Sequence, residues 1–263
     1  SSLRQYLHKD FCTNAALTVL DNPGTAIIVT GFYIRSAGYI ETDGPPGAIV
    51  IGRALIKLGY KVVYVTDQYG IVALETIVGS NSRVYEFPIL DFQASKTLAS
   101  NICNELDPSI VIAVERCGVN ELGEYSNMHG QDITQYTAKI DCLFQSKITS
   151  IGIGDGGNEI GMGNLFTQVK ENSKLVSSPT TVEVDELIIA SVSNWGAYGL
   201  VAAISLIKNQ NLLVSVEEEK EIIHALVGLG VVDGMSGKAE CFVDGFDLDS
   251  NSKILQDLHS LLN

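Results

Sequence analysis

Asp155, Asn158 and Glu159 stand close together in a glycine-rich run, GIGDGGNEIGMGN, over 152–164. Hard oxygen donors at that spacing suit a small divalent cation such as Mg²⁺ or Mn²⁺. Asp43 and Asp67 are further donors of the same kind. Asp43 belongs to a second unusual stretch, ETDGPPGA at 41–48, where Thr42, Asp43 and Gly44 run into two prolines. A proline fits the first turn of a helix, Thr42 or Asp43 can cap it, and the glycines let a ligand approach bare backbone amides. The helix start behind them favours a negative group nearby. In SNWG, Ser193 and Asn194 offer a hydroxyl and an amide to a substrate carboxylate, or cap a helix. Lys238 in DGMSGK is a candidate anion anchor.

The glycines at 152, 154 and 157 also match the G-x-G-x-x-G pattern of dinucleotide-binding turns. Asp155 sits inside that turn, where its charge would repel a pyrophosphate. No acidic residue at the end of a following strand completes the pattern. No nucleotide cofactor is therefore expected.

These residues share a position relative to the elements that hold them. Short, β-branched runs at 25–30, 61–66, 83–87, 109–114, 149–153 and 186–191 are apolar throughout, as parallel strands covered on both faces are. Helical spacing of apolar residues predicts helices over 47–58, 68–78, 91–106, 133–144, 195–207, 217–229 and 247–262. The alternation implies an α/β fold, a mainly parallel sheet of about six strands with helices on both faces, a Rossmann-like sandwich. We expect one α/β domain over 1–263, with 1–24 a terminal helical segment and 212–263 forming C-terminal helices packed on it. The long polar stretch 167–180 reads as loop. In an open parallel sheet, ligands bind outside the carboxyl ends of the strands. There the chain places Glu41–Gly47, Asp67, Glu115-Arg116, Gly154–Glu159 and Ser193–Gly196. Turns at the opposite ends, such as KLGY, are ordinary.

Composition narrows the partners. A formal net charge of −14, from 31 acidic and 17 basic residues, repels phosphate backbones and argues against nucleic acid. No apolar run reaches the roughly 18 residues of a membrane span, and no signal peptide is legible. The five cysteines are scattered, without a CxxC pair, which suits a reducing compartment such as the cytoplasm. His129 lies in a polar loop, EYSNMHGQD, able to act as a lid.

Taken together, ETDGPPGA, VTDQ, ER-G, GDGGNEIGMG, SNWG and DGMSGK, in this order over about 25–245, resemble the C-terminal domain of the D-glutamate cyclase family. That family includes longer mitochondrial members, which carry another domain ahead of this one, and stand-alone bacterial relatives. The resemblance implies a lyase that converts D-glutamate to 5-oxo-D-proline with loss of water, in the mitochondrial matrix for a eukaryotic member. On that chemistry, a metal held by Asp43, Asp155 or Glu159 would act as a Lewis acid. Amides near Gly44, Gly156 and Gly157 would stabilise an oxyanion. Arg116 or Lys238 would pair with the α-carboxylate, and Asp67 or Glu115 would carry the proton. Two other readings fit the same residues: a metal-dependent hydrolase or lyase acting on another small acidic metabolite, and a non-catalytic module that binds one. A homo-oligomer is left open.

Overall fold

Runs such as TAIIVT and KVVYVT have stiff branched side chains that fill a pleated surface, and they form the strands. The computed structural model describes residues 3–262; Ser1, Ser2 and Asn263 lie outside the described residues. The strands are β1 (Thr25–Thr30), β2 (Tyr33–Ile34), β3 (Tyr39–Ile40), β4 (Lys61–Thr66), β5 (Arg83–Glu86), β6 (Pro108–Val114), β7 (Thr149–Gly154), β8 (Glu186–Ile189), β9 (Phe242–Val243) and β10 (Phe246–Asp247). The α-helices are α1 (Phe11–Asp21), α2 (Pro45–Lys57), α3 (Ile71–Val78), α4 (Phe92–Leu106), α5 (Phe166–Lys170), α6 (Ser193–Lys208), α7 (Val216–Gly228) and α8 (Leu248–Leu262).

Six strands form one parallel sheet in the order β5-β4-β1-β6-β7-β8. Alternate side chains serve the two faces. Ala26, Ile28, Ile110 and Ile112 pack under α1, α2 and α6, while Ile27, Val29, Val111 and Ala113 pack under α4. Each such buried isoleucine or valine contributes roughly 1.5–3 kcal/mol over its exposed state. From β1 the chain winds outward through β4 to β5, then returns through α4 to place β6 on the other side of β1. The order therefore reverses between β1 and β6, and the crevice at that switch is where doubly wound sheets bind ligands.

Two small antiparallel hairpins rise at the same edge. β2–β3 follows β1, and β9–β10 turns at Asp244-Gly245, both with positive φ as such a tight turn requires. Val232 joins the first hairpin's end by pairing parallel with Glu41. α2 and α6 touch closely: a Cβ on Gly47 would lie 2.8 Å from the Cβ of Ala197.

The helix expected over 133–144 is corrected. That stretch holds only two short 3₁₀ turns, Thr134–Tyr136 and Ile140–Gln145. Its polar groups are tied elsewhere: Thr134 Oγ1 accepts from the Tyr125 amide, and the Ala138 carbonyl accepts from Arg116 at 2.8 Å. Threonines at 134 and 137 also favour a helix weakly. Within the expected 167–180 loop, the first residues belong to α5. Among the described residues no helix is long and apolar enough to cross a membrane.

Candidate active site

The loops at the carboxyl ends of the strands enclose a cavity of about 490 Å³. Its framework is a pair of helix N-termini that cap each other crosswise. The Asn194 side chain accepts at Oδ1 from the amides of Gly44 (3.0 Å) and Gly47 (2.7 Å), and donates through Nδ2 to the Thr42 carbonyl (3.0 Å). In return the Asp43 carboxylate accepts from the amides of Ser193 (2.7 Å) and Asn194 (2.8 Å), and from Gly44 (2.9 Å). Thus neither Thr42 nor Asp43 caps α2, and neither Ser193 nor Asn194 caps α6; each cap comes from the other helix. The Thr42 hydroxyl donates to the Phe242 carbonyl, which holds the β9–β10 hairpin down. Gly44 lacks a side chain for packing, since a Cβ there would lie 2.7 Å from both Glu115 Cβ and Thr30 Oγ1.

Glu115 follows β6 with φ of +45°, a left-handed conformation that a glutamate rarely adopts. Its Oε2 accepts from the Ser193 hydroxyl at 2.6 Å. The strain, of order 1–3 kcal/mol, turns the carboxylate into the crevice beside Asp155 and Glu159. Glu159 accepts at its two oxygens from the amides of Gly156 (3.0 Å) and Gly157 (2.8 Å). Asn158 donates to the Ser126 carbonyl at 2.8 Å and lines the cavity with Gly156.

The carboxylates form two overlapping groups. Oxygens of Asp43, Asp155 and Asp244 lie within 4.8 Å of one another, and so do those of Glu115, Asp155 and Glu159. Asp155 belongs to both. Glu41 adds a further carboxylate that is 6% exposed, lines the cavity and has no hydrogen bond to its side chain among the described residues. Burial pushes Glu41, Asp43, Glu115, Asp155 and Glu159 all above the ordinary carboxylate range, and neighbouring carboxylates push Glu41, Asp43, Glu115 and Asp155 further in the same direction. Asp244 is pushed up to about 6, again first by burial. So many acids in one place take protons or a cation. The all-oxygen donor set, with Glu41 unbonded, fits Mg²⁺ or Mn²⁺.

Of the residues singled out in the sequence, Glu115, Asp155, Gly156, Asn158 and Glu159 line the cavity, and Asp43 meets them through Asp155. Others are placed elsewhere. Arg116 is 1% exposed and pairs with Asp67 at 2.7 Å, while also donating to the Gly31 and Ala138 carbonyls. A guanidinium so engaged has no fork left for a substrate, and Asp67 is no free proton carrier. The Lys238 side chain is 69% exposed and nearest the acid Glu240, at 3.9 Å. The amides of Gly44, Gly156 and Gly157 are already bonded to Asp43, Asn194 and Glu159, so none is free for an oxyanion. Reading the sequence missed Glu41, Asp244 and Arg35, all of which line the cavity. Glu41 opens the ETDGPPGA stretch itself, and the Asp244-Gly245 pair between FV and FD was a legible hairpin signal.

A family model described as D-glutamate cyclase-like, C-terminal, matches residues 2–259. The chain belongs to this family. This D-glutamate cyclase-like domain is 30% identical to human "D-glutamate cyclase, mitochondrial" over 295 residues, covering 96% of the chain and 48% of that relative. It spans about half the relative's length. Among solved structures, an actinorhodin polyketide ketoreductase crystallised with NADPH shares 12% identity over 92% of this chain and 90% of its own, with a TM-score of 0.33. The protein gox2181 shares 12% over 95% and 94%, with a TM-score of 0.32. Likeness at that level carries no argument about ligands.

Proposed function

We propose that this domain carries the active site of a D-glutamate cyclase-like hydro-lyase, closing D-glutamate to 5-oxo-D-proline with release of water. The observation that carries the reading is Asp155, shared by two groups of buried carboxylates at the sheet's switch point, in a chain of this family. A bound Mg²⁺ or Mn²⁺ would supply Lewis acidity to the γ-carboxylate and offset its charge, and Asp43, Asp155, Asp244 and Glu159 would hold it.

The remaining work falls to the chain's own groups. The anionic floor draws in the substrate ammonium. Glu115 accepts a proton from that nitrogen: one of its oxygens is fixed by Ser193, the other is uncommitted, and burial raises its basicity. The freed amine attacks the γ-carboxyl carbon, a C–N bond forms and a C–O bond breaks. Two protons given up by nitrogen end on the departing oxygen as water, Glu115 returning what it took. The cavity holds the substrate curled, and intramolecular attack then supplies much of the barrier reduction. The reading includes no nucleotide, because the amides of Gly156 and Gly157 that a pyrophosphate would use are engaged by Glu159.

The test is incubation with D- and L-glutamate, with Mn²⁺, with Mg²⁺ or with a chelator, and measurement of 5-oxoproline by mass. Product from the D isomer, lost in Asp155→Asn, is expected. Absence of product above the spontaneous background under every condition would overturn the reading, and full activity in Asp155→Asn would overturn the role given to the carboxylate cluster.

A further inference from the structure

The floor of the cavity is anionic, and a substrate with two carboxylates needs a cation outside that floor. Arg116 and Lys238 are not there to supply it. Among the described residues two basic residues, Arg35 and His129, line the cavity. Arg35 begins the turn between β2 and β3. The root of that hairpin is fixed: Tyr33 pairs with Ile40, the Glu41 amide donates to the Phe32 carbonyl at 3.0 Å, and the Tyr33 ring stacks on Tyr136 at 4.9 Å. The one connection from β1 to α2 thus holds Arg35 at the rim and Glu41 and Asp43 below it. Arg35 is exposed and forms no salt bridge among the described residues, although its charge reaches Tyr33 and Asp132. Its fork is uncommitted where every other guanidinium or ammonium near the sheet edge is engaged or remote.

We infer that Arg35 is the anchor for the substrate's non-reacting α-carboxylate, gripping it through two parallel N–H···O bonds. The ammonium and the γ-carboxyl group are then left to the acidic floor. This makes the site selective for amino acids that keep a free α-carboxylate beside a second, reacting carboxyl. The inference rests on the cyclase reading of the same site.

The experiment compares wild type, Arg35→Ala and Arg35→Lys with two ligands, D-glutamate and D-isoglutamine, whose α-carboxylate is replaced by an amide. Binding is read by calorimetry and ring closure by mass. Arg35→Ala is expected to weaken D-glutamate binding and raise KM about 10- to 100-fold, with a much smaller change in kcat. Arg35→Lys should recover part of this, as a point charge without the fork. The wild-type preference for D-glutamate over D-isoglutamine should vanish in Arg35→Ala. An exposed turn position should leave the melting temperature unchanged, which checks folding. Unaltered D-glutamate binding, or an unaltered preference, in Arg35→Ala overturns the anchor even if product forms. Binding to wild type without product, lost in Arg35→Ala, overturns the cyclase chemistry and leaves the anchor standing. No binding of D-glutamate to wild type overturns both.

Discussion

Replacing Asn194 by alanine tests the framework beneath the site. The side chain is fully buried and makes three hydrogen bonds, to the amides of Gly44 and Gly47 and to the Thr42 carbonyl. The Gly44 amide keeps a partner in Asp43 Oδ1 at 2.9 Å. The Gly47 amide and the Thr42 carbonyl lose theirs in a place water does not reach. An orphaned buried group costs about 1–3 kcal/mol, so with two such groups Asn194→Ala should lower stability by about 2–6 kcal/mol. At roughly 2–4 °C per kcal/mol for a chain of about this size, that is a fall of roughly 4–24 °C in melting temperature. Asn194→Asp separates this network from an ordinary helix cap. Aspartate is an excellent cap elsewhere, but here it would face the Thr42 carbonyl with an oxygen instead of a donor, beside the Asp43 carboxylate. It should therefore destabilise at least as much as alanine. Urea denaturation of both variants, with metal removed, measures the two losses. A loss below about 1 kcal/mol for alanine, or wild-type stability for aspartate, would refute the reciprocal cap as the site's support.

Two further outcomes follow from the buried charges. Asp67→Asn should destabilise by about 3–5 kcal/mol, because it strands the Arg116 guanidinium at a position 1% exposed; a urea midpoint close to wild type would show the pair to be dispensable. Stability should also depend on pH with a definite sign. The Asp244 carboxyl rises from 3.8 to about 6, chiefly through burial, and Glu41, Asp43, Glu115, Asp155 and Glu159 shift in the same direction. A carboxyl with a folded-state pKa above its unfolded one binds its proton more tightly when folded. Its contribution therefore grows as pH falls through about 6 toward 3.8, and is lost as pH rises. The metal-free protein should melt higher near pH 5.5 than near pH 7.5, and Mn²⁺ should stabilise it more at the higher pH, where the carboxylates are ionised. A thermal scan at both pH values showing the opposite order without metal would contradict the raised acids.

Much of the sheet was legible because parallel strands covered on both faces leave a simple trace, a short apolar run with no polar face. The polar residues that end those runs then fall on one edge by necessity. What the sequence did not carry was pairing across the sheet. Asp67 follows β4 and Arg116 follows β6, with β1 between those strands; nothing in either neighbourhood says that the two side chains meet. The 133–144 stretch has helical spacing of its apolar residues, but the spacing is silent about Arg116 claiming the Ala138 carbonyl. Arg35 stands between Tyr33 and Tyr39 with no chemical motif around it, and it is the hairpin that brings it to the cavity.

Residue type alone marks every polar group at the strand ends as a candidate, and hydrogen-bond accounting divides them. Thr42, Asn194, Asp67, Arg116 and the amides of Gly44, Gly156 and Gly157 are already engaged by the fold. A group so engaged would have to break native bonds, at about 1–3 kcal/mol each, before touching a ligand. Glu41, the second oxygen of Glu115 and the Arg35 fork carry no such bond, and all three residues line the cavity. The left-handed backbone at Glu115 points the same way. Strain of that kind persists only where surroundings over-determine it. Here the Ser193 hydroxyl and the close approach of Gly44 hold the glutamate in place, so the framework's own bonds position a carboxylate that still has an oxygen to spare.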